Sequence, residues 1–468
     1  MQKHNNAKFR VESDSMGEVN IPVDALYGAQ TQRAVQNFTI SHLRLPQEFI
    51  QALALIKAAA ANANDSLGLL VNDKAQAIER AALAIHSGQY AEQFPLDVFQ
   101  TGSGTSSNMN VNEVIAHLAY KLYQQKVHAN DDVNKGQSSN DVIPSSIHLS
   151  VLIELKKQLL PAIQHLVNTL DEKAELLKEE VKTGRTHLMD ALPITFAQEV
   201  GGWSQQLKMC AARIEATQTS LSQLAIGGTA VGTGLNSSKL FAQKVCDYVN
   251  ERLQSSCEQA TSNWCFVPAR NYFTALSCQD SALELSGQLK VLATSLLKIS
   301  NDLRWMNSGP LSGLSEINLE SLQPGSSIMP GKVNPVIPEA VAMACAQVTG
   351  NDGCITVAAQ SGNFQLNVML PVIAYNLLQS ISLMRNACYA LADKSIATFT
   401  INREKIEQTL SYNPILVTAL NQKIGYEQGA KIAKRAYAEK RPVIDVAVEM
   451  TDLDKETLAD LLDPKKLT

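Results

Sequence analysis

The sequence predicts a mainly α-helical protein of three domains with a central bundle of long helices. Three observations carry this. Apolar residues recur at helical spacing through segments of about 20 to 40 residues, the length of bundle helices rather than of strands. The chain has 468 residues, and at ~150 residues per domain that length favours about three domains. Short polar stretches rich in glycine and proline separate the apolar segments, and none of them sits in a βαβ pattern.

Residues 1–45 read as irregular, apart from a short strand or turn over Phe9–Gly17 and a short helix within Val23–Phe38. From Pro46 the pattern turns helical. Gln47–Leu70 is rich in alanine and leucine and puts Ile50, Leu53, Ile56 and Ala60 on one face. Asp73–Ile85 is a second helix. Thr101–Asn110 is small and polar and leads into a helix carrying Val114, Ile115 and Leu118. It can serve as an elaborate N-cap or as an anion site at a helix N-terminus. A second polar cluster runs from His128 to Asp141. Pro144 closes it, because the residue before a proline avoids the helical region. The N-terminal domain is accordingly placed at residues 1–140.

The central domain, residues 141–398, opens with Ser146–Val181, where Leu152, Leu155, Leu159, Ile163, Leu166, Leu170 and Leu177 form a heptad-like seam. Pro161 should kink it. Ile194–Leu224, Lys239–Leu253, Ala269–Asn307, Glu339–Gln360 and Phe364–Leu391 are further helices. Their apolar faces are too long for one chain to cover, which predicts self-association. Two polar stretches punctuate this region, Thr183–Asp190 and Ile226–Asn236. Ile226–Asn236 is superficially similar to a phosphate-cradling loop, but it lacks G-K-[ST], which argues against nucleotide binding. A small C-terminal domain, residues 399–468, carries short apolar periods over Ile415–Leu420, Gly429–Ala436 and Val443–Met450.

Composition narrows the function classes. The formal charge is -5, and 45% of residues are hydrophobic, so neither a nucleic-acid surface nor an unusual composition is indicated. No run of about 18 apolar residues predicts a membrane span, and residues 1–10 carry no targeting pattern. The eight cysteines form no C-x-x-C pair and no zinc spacing with histidine. They read as reduced packing thiols in a cytosolic protein, with no metal and no cofactor expected.

The most information-rich stretch is Gly325-Ser326-Ser327-Ile328-Met329-Pro330-Gly331-Lys332-Val333-Asn334-Pro335. It packs hydroxyls, a cation and an amide into a segment whose prolines forbid a helix. It reads either as a rigid connector or as a functional loop between helices. With Ser15-Met16-Gly17, Thr101–Glu113, Asp131–Asp141, Gly184-Arg185-Thr186-His187, Ile226–Asn236, Ser361-Gly362-Asn363-Phe364 and Leu416–Asn421, it resembles the class II fumarase branch of the fumarase/aspartase superfamily, nearly end to end. Met329-Pro330-Gly331-Lys332 is similar to fumarases, where aspartases tend to carry alanine before the lysine.

The resemblance implies the three-domain fumarase/aspartase fold, a homotetramer whose central helices form one core, and active sites shared between three subunits. It implies reversible, stereospecific hydration of fumarate to (S)-malate through an aci-carboxylate, without a metal. Ser326 is then the carbon base, and His187 assists departure of hydroxide as water. Glu339 is the carboxylate partner of the histidine, and Lys332 and Asn334 stabilise the aci-carboxylate. Ser103, Gly104, Thr105, Ser138, Ser139, Asn140, Thr186, Ser327 and Val333 complete the substrate contacts. A neutral serine is a poor base, so Lys332, loop N–H groups or a helix end must activate it. The loop is expected to close over substrate, with Gly313, Gly325 and Gly331 absorbing the motion. A second, non-catalytic carboxylate site maps to His128, Ala129, Asn130 and Asp131. Here Gln125 stands where the resemblance implies an arginine and Ala129 where it implies a proline, so weaker anion binding is expected. An aspartate ammonia-lyase of the same superfamily is the alternative reading, and a non-catalytic helical scaffold a third.

Overall fold

The structure, a computed structural model, describes residues 9–255 and 264–468. It opens on an antiparallel hairpin, β1 (Phe9–Asp14) and β2 (Gly17–Pro22), with Asp14 opposite Gly17. Five helices follow: α1 (Ala29–Asn37), α2 (Gln47–Ser66), α3 (Asn72–His86), α4 (Thr105–Tyr123) and α5 (Ser139–Glu154).

α2 is the centre of its surroundings. Leu53, Leu55, Ile56 and the run Ala58-Ala59-Ala60 are fully buried. The helix packs against α3, α5 and the helix Phe241–Ser255. Alanines let those neighbours approach closely, and each buried leucine or isoleucine contributes about 1.5–3 kcal/mol relative to exposure. α2 ends before the expected Leu70, because Gly68 turns left-handed at φ 70° and Leu69 N–H bonds back to Asn64 C=O.

α5 departs from expectation. It starts at Ser139 and runs through Pro144 instead of beginning after it. Ser138 Oγ accepts from Asn140 N–H while Asp141 returns a bond to Ser138 N–H, a full capping box. With Val142, Ile143 and Ile147 all buried, the helix tolerates one lost bond to the Asn140 carbonyl. Pro161 likewise stands within helical backbone. A π turn over Leu155–Leu159 precedes α6 (Leu160–Leu176) and shifts the bonding register just ahead of the proline.

The polar stretch around His187 is a second hairpin, β3 (Val181–Thr186) and β4 (Met189–Thr195), leading into α7 (Phe196–Ala216). The segment expected as one helix over Ala269–Asn307 is two, Tyr272–Ser277 and Asp280–Met306, because Cys278 is extended. Asp280 then favours a fresh helix start. The long helices Val336–Ala359 and Leu370–Leu391 follow. At the C-terminus Leu416, Leu420, Ile432, Val446 and Leu458 form a small core. That core uses the three expected segments and also Lys455–Leu461, a helix capped by Asp454 that the apolar periods did not reveal. β-structure is confined to two-stranded ribbons among the described residues, and the fold is mainly α.

Backbone proximity groups the described residues into two compact units. One holds Met1–Pro161, Ala212–Val291 and Gln347–Met384; the other holds Ala162–Ala211, Leu292–Ala346 and Arg385–Thr468. No described helix is long and apolar enough to cross a membrane.

Candidate active site

The first unit brings one polar group together. Gly104 adopts φ 71° at the start of α4, where a Cβ would press on Ile143 at 3.0 Å. Glycine therefore lets two helix starts approach. Ser103 Oγ lies 2.8 Å from Thr105 Oγ1, which lies 2.7 Å from Ser139 Oγ at the start of α5. Asn140 Nδ2 donates to Ala230 C=O at 2.8 Å. Ser103, Gly104, Thr105, Ser138, Ser139 and Asn140 thus form one patch of hydroxyls and amides at two helix N-termini. Unpaired N–H groups and the helix dipoles there favour an anion.

In the second unit the Gly325–Pro335 stretch closes on itself. Gly325 N–H donates to Lys332 C=O at 2.8 Å, and Asn334 Nδ2 donates to Gly325 C=O at 2.6 Å. A Cβ on Gly325 would lie 2.6 Å from the Lys332 carbonyl oxygen, so only glycine fits. Inside this ring Ser326 Oγ accepts from Ile328 N–H at 3.2 Å and Met329 N–H at 3.0 Å. Two backbone dipoles therefore point at the hydroxyl oxygen, the arrangement that stabilises an alkoxide. Ser327 and Lys332 are exposed, and among the described residues no hydrogen bond or ion pair holds the Lys332 ammonium. Lys332, Val333, Asn334 and Glu339 line one cavity of about 560 Å³ together with Arg304, Asn307 and Ser308. Sequence reasoning did not single out Arg304. Its only signal was a basic residue in the last turn of the helix Asp280–Met306.

His187 lies at the tip of the β3–β4 hairpin. His187 and Leu188 have φ 58° and 59°, both in the left-handed region. That is the geometry of a type I′ turn, which normally takes Asn-Gly. A non-glycine residue held there costs of order 1–2 kcal/mol, and such strain clusters at functional sites. The hairpin base is braced by ion pairs and hydrogen bonds. Lys182, fully buried, pairs with Glu199 at 2.7 Å and Glu316 at 2.9 Å, while Arg185 pairs with the other Glu316 oxygen. Gly184 leaves room for the Leu192 carbonyl, which a Cβ would meet at 2.7 Å. Asn413 donates to Ala191 C=O at 2.8 Å and braces the second strand. Thr186 ends β3 exposed, opposite Met189. Among the described residues no hydrogen bond or ion pair holds the His187 ring, and none joins it to Glu339, which is half-buried in the first turn of Val336–Ala359.

The His128 segment folds as a π turn over Ala129–Val133. Its Nδ1 accepts from Asp131 N–H at 3.2 Å. Ala129 and Asn130 line a cavity of about 600 Å³ whose walls include Glu12, Asp14, Glu113, His117 and Lys126. Burial pushes the Glu113 carboxyl up, against N–H bonds from Gly28, Gln30 and Thr31 that pull it down. Among the described residues no cluster of three or more His, Cys, Asp or Glu could hold a metal.

Comparison with known proteins decides the family. Residues 17–350 match the lyase family model, and residues 416–468 match the fumarase C C-terminus model. Fumarate hydratase class II 2 of Pseudomonas aeruginosa is 56% identical over 98% of this chain and 98% of its own. The chain belongs to the class II fumarate hydratase family. A class II fumarate hydratase of Xylella fastidiosa is 53% identical over 100% of this chain and 97% of its own. The crystal structure of a class II fumarase from Schistosoma mansoni superposes with TM-score 0.94 at 38% identity, covering 98% of this chain and 99% of that one. A fumarate lyase:delta crystallin from Brucella melitensis, solved bound to cobalt, superposes with TM-score 0.92 at 40% identity, covering 98% and 99%. Family membership gives the hydro-lyase class of enzyme and the mainly α fumarase/aspartase fold.

Proposed function

We infer that the chain is a fumarate hydratase, interconverting fumarate and (S)-malate. The observation that carries the chemistry is Ser326 Oγ facing two backbone N–H groups beside an uncommitted lysine. In the dehydration direction the Ser326 alkoxide takes a proton from the carbon beside one carboxylate. The electron pair moves into that carboxylate, giving a doubly charged aci-carboxylate. Lys332 and the second N–H of Asn334 lower the energy of that charge, the role of preorganised donors. Collapse of the aci-carboxylate forms the double bond and expels hydroxide, which His187 protonates to water. Hydration runs the same steps backwards. Ser103, Gly104, Thr105, Ser138, Ser139, Asn140, Thr186, Ser327 and Val333 hold the carboxylates, and Glu339 orients and charges His187 from another subunit.

The working enzyme in this reading is a cytosolic homotetramer with sites shared between three subunits. Exposed Ile328 at 83%, Met343 at 69% and Val357 at 54% support the self-association in that reading. Helix Val336–Ala359 is predominantly apolar, with Glu339 and Asp352 its only charged residues, and a helix of that kind is normally buried on most sides. Three domains, 1–140, 141–398 and 399–468, remain our functional division of the chain. Gln125 in place of the implied arginine, with the Glu113 carboxyl in the cavity wall, makes the His128–Asp131 site a poor dianion site. The deciding experiment is a pair of assays on purified protein: fumarate formed from (S)-malate, and ammonia released from aspartate. Malate turnover without ammonia release is expected, and the converse would overturn the reading.

A further inference from the structure

The chemistry above leaves one polar stretch without a task, Ile226–Asn236. The backbone there is an anion cradle, with Gly227 at φ 97° and Thr229 at φ 53°. The cradle is filled from within. Asp141 Oδ2 accepts from both Gly227 N–H and Thr229 N–H at 2.9 Å. Its other oxygen, Oδ1, accepts from Ser138 N–H at 2.9 Å. A capping box uses only this last bond, so the two bonds to a distant segment are additional. Asn140 Nδ2 reaches the same segment at Ala230 C=O. Gly227 has no room to retreat, since a Cβ there would lie 2.8 Å from the Ala242 Cβ.

Asp141 is fully buried, and a buried carboxylate costs several kcal/mol unless bonds and a counter-charge offset it. Lys57 supplies that counter-charge. It is also fully buried, and its ammonium donates to Asn134 Oδ1 at 3.0 Å and Gln137 Oε1 at 2.9 Å. Burial pushes Asp141 up to about 6 and Lys57 down to about 7, and each charge draws the other back towards its ionised form. The buried Asp141 thus follows directly on Ser138, Ser139 and Asn140, with the Lys57 ammonium held by Asn134 and Gln137.

We propose that Asp141 is a positioning residue for the dicarboxylate substrate: it clamps the Ile226–Asn236 loop to the Ser138–Asn140 turn, so that the two segments order as one unit when substrate binds. This rests on the assignment of Ser138–Asn140 as carboxylate contacts. Asp141→Asn turns an amide N–H₂ towards one set of backbone donors and breaks the clamp. In the folded tetramer it is expected to raise KM for malate by about tenfold or more and to leave kcat within about threefold. An unchanged KM, or a loss confined to kcat, overturns the proposal. Hydrogen exchange on the wild-type enzyme needs no variant. A saturated four-carbon dicarboxylate is expected to slow exchange in peptides covering 138–141 and 226–230 together. Slowing at 138–141 alone removes the clamp but keeps the carboxylate site. No slowing at either removes both.

Discussion

Ser326 and His187 make different kinds of contact, and their variants separate accordingly. Ser326 Oγ receives two backbone N–H groups, so Ser326→Ala deletes the proposed base while leaving the ring closed by Gly325, Lys332 and Asn334. We expect malate turnover to fall by about 10³-fold or more, with the melting temperature unchanged. Near-normal turnover would remove Ser326 as the base. His187→Asn is expected to cost about 10²–10⁴-fold in kcat, the range for a lost general acid or base. These residue types were legible because hydroxyl, cation and amide crowd one motif. Loop N–H groups were among the candidates for activating the proposed base, but which two reach Ser326 Oγ was not legible. That depends on backbone direction, which the letters Ile328 and Met329 do not encode.

The hairpin that carries His187 stands on buried charge. Glu316 is 5% exposed and bonds both Lys182 and Arg185 beneath the β3–β4 hairpin. Glu316→Gln leaves Lys182 in the interior with less compensation, and removing one partner of a buried pair typically costs about 3–5 kcal/mol. Denaturant unfolding checks this, and a loss confined to activity would show that the network orients without supporting. Lys57 makes a pH prediction. Its ammonium loses its proton in the folded chain at about pH 7, against the ordinary 10.5. Between those values the unfolded chain binds the extra proton, so the Lys57 contribution to stability rises with pH from about 7 upwards. The melting temperature of wild type relative to Lys57→Met should climb across that window; a flat difference would refute a displaced proton. α2, α3 and the C-terminal segments Ile415–Leu420, Gly429–Ala436 and Val443–Met450 were readable from apolar periods; Lys455–Leu461 was not. The hairpin was not, because His187-Leu188 carries no turn signature, and Pro144 misplaced the start of α5 because the capping box outweighs it.

At the scale of the molecule, the proposed groups come from separate parts of the chain. If sites are shared between subunits, Ser326→Ala and His187→Asn fail in different ways. Mixed tetramers then contain some sites that draw an intact serine and an intact histidine from different chains. Co-refolding the two inactive variants should restore part of the malate turnover. No recovery would argue that each chain builds its own site. Self-association was an expectation from apolar faces too long for one chain to cover. Which faces meet was not, since periodicity names a buried side and not its neighbour.

The turn at His187 and Leu188 carries a cost for anyone hardening this enzyme against heat. Leu188→Gly would relax the less essential half of that turn and let the hairpin tip wander. Its melting temperature should rise while kcat falls. A library screened only for survival at high temperature would collect such changes and quietly discard the catalyst.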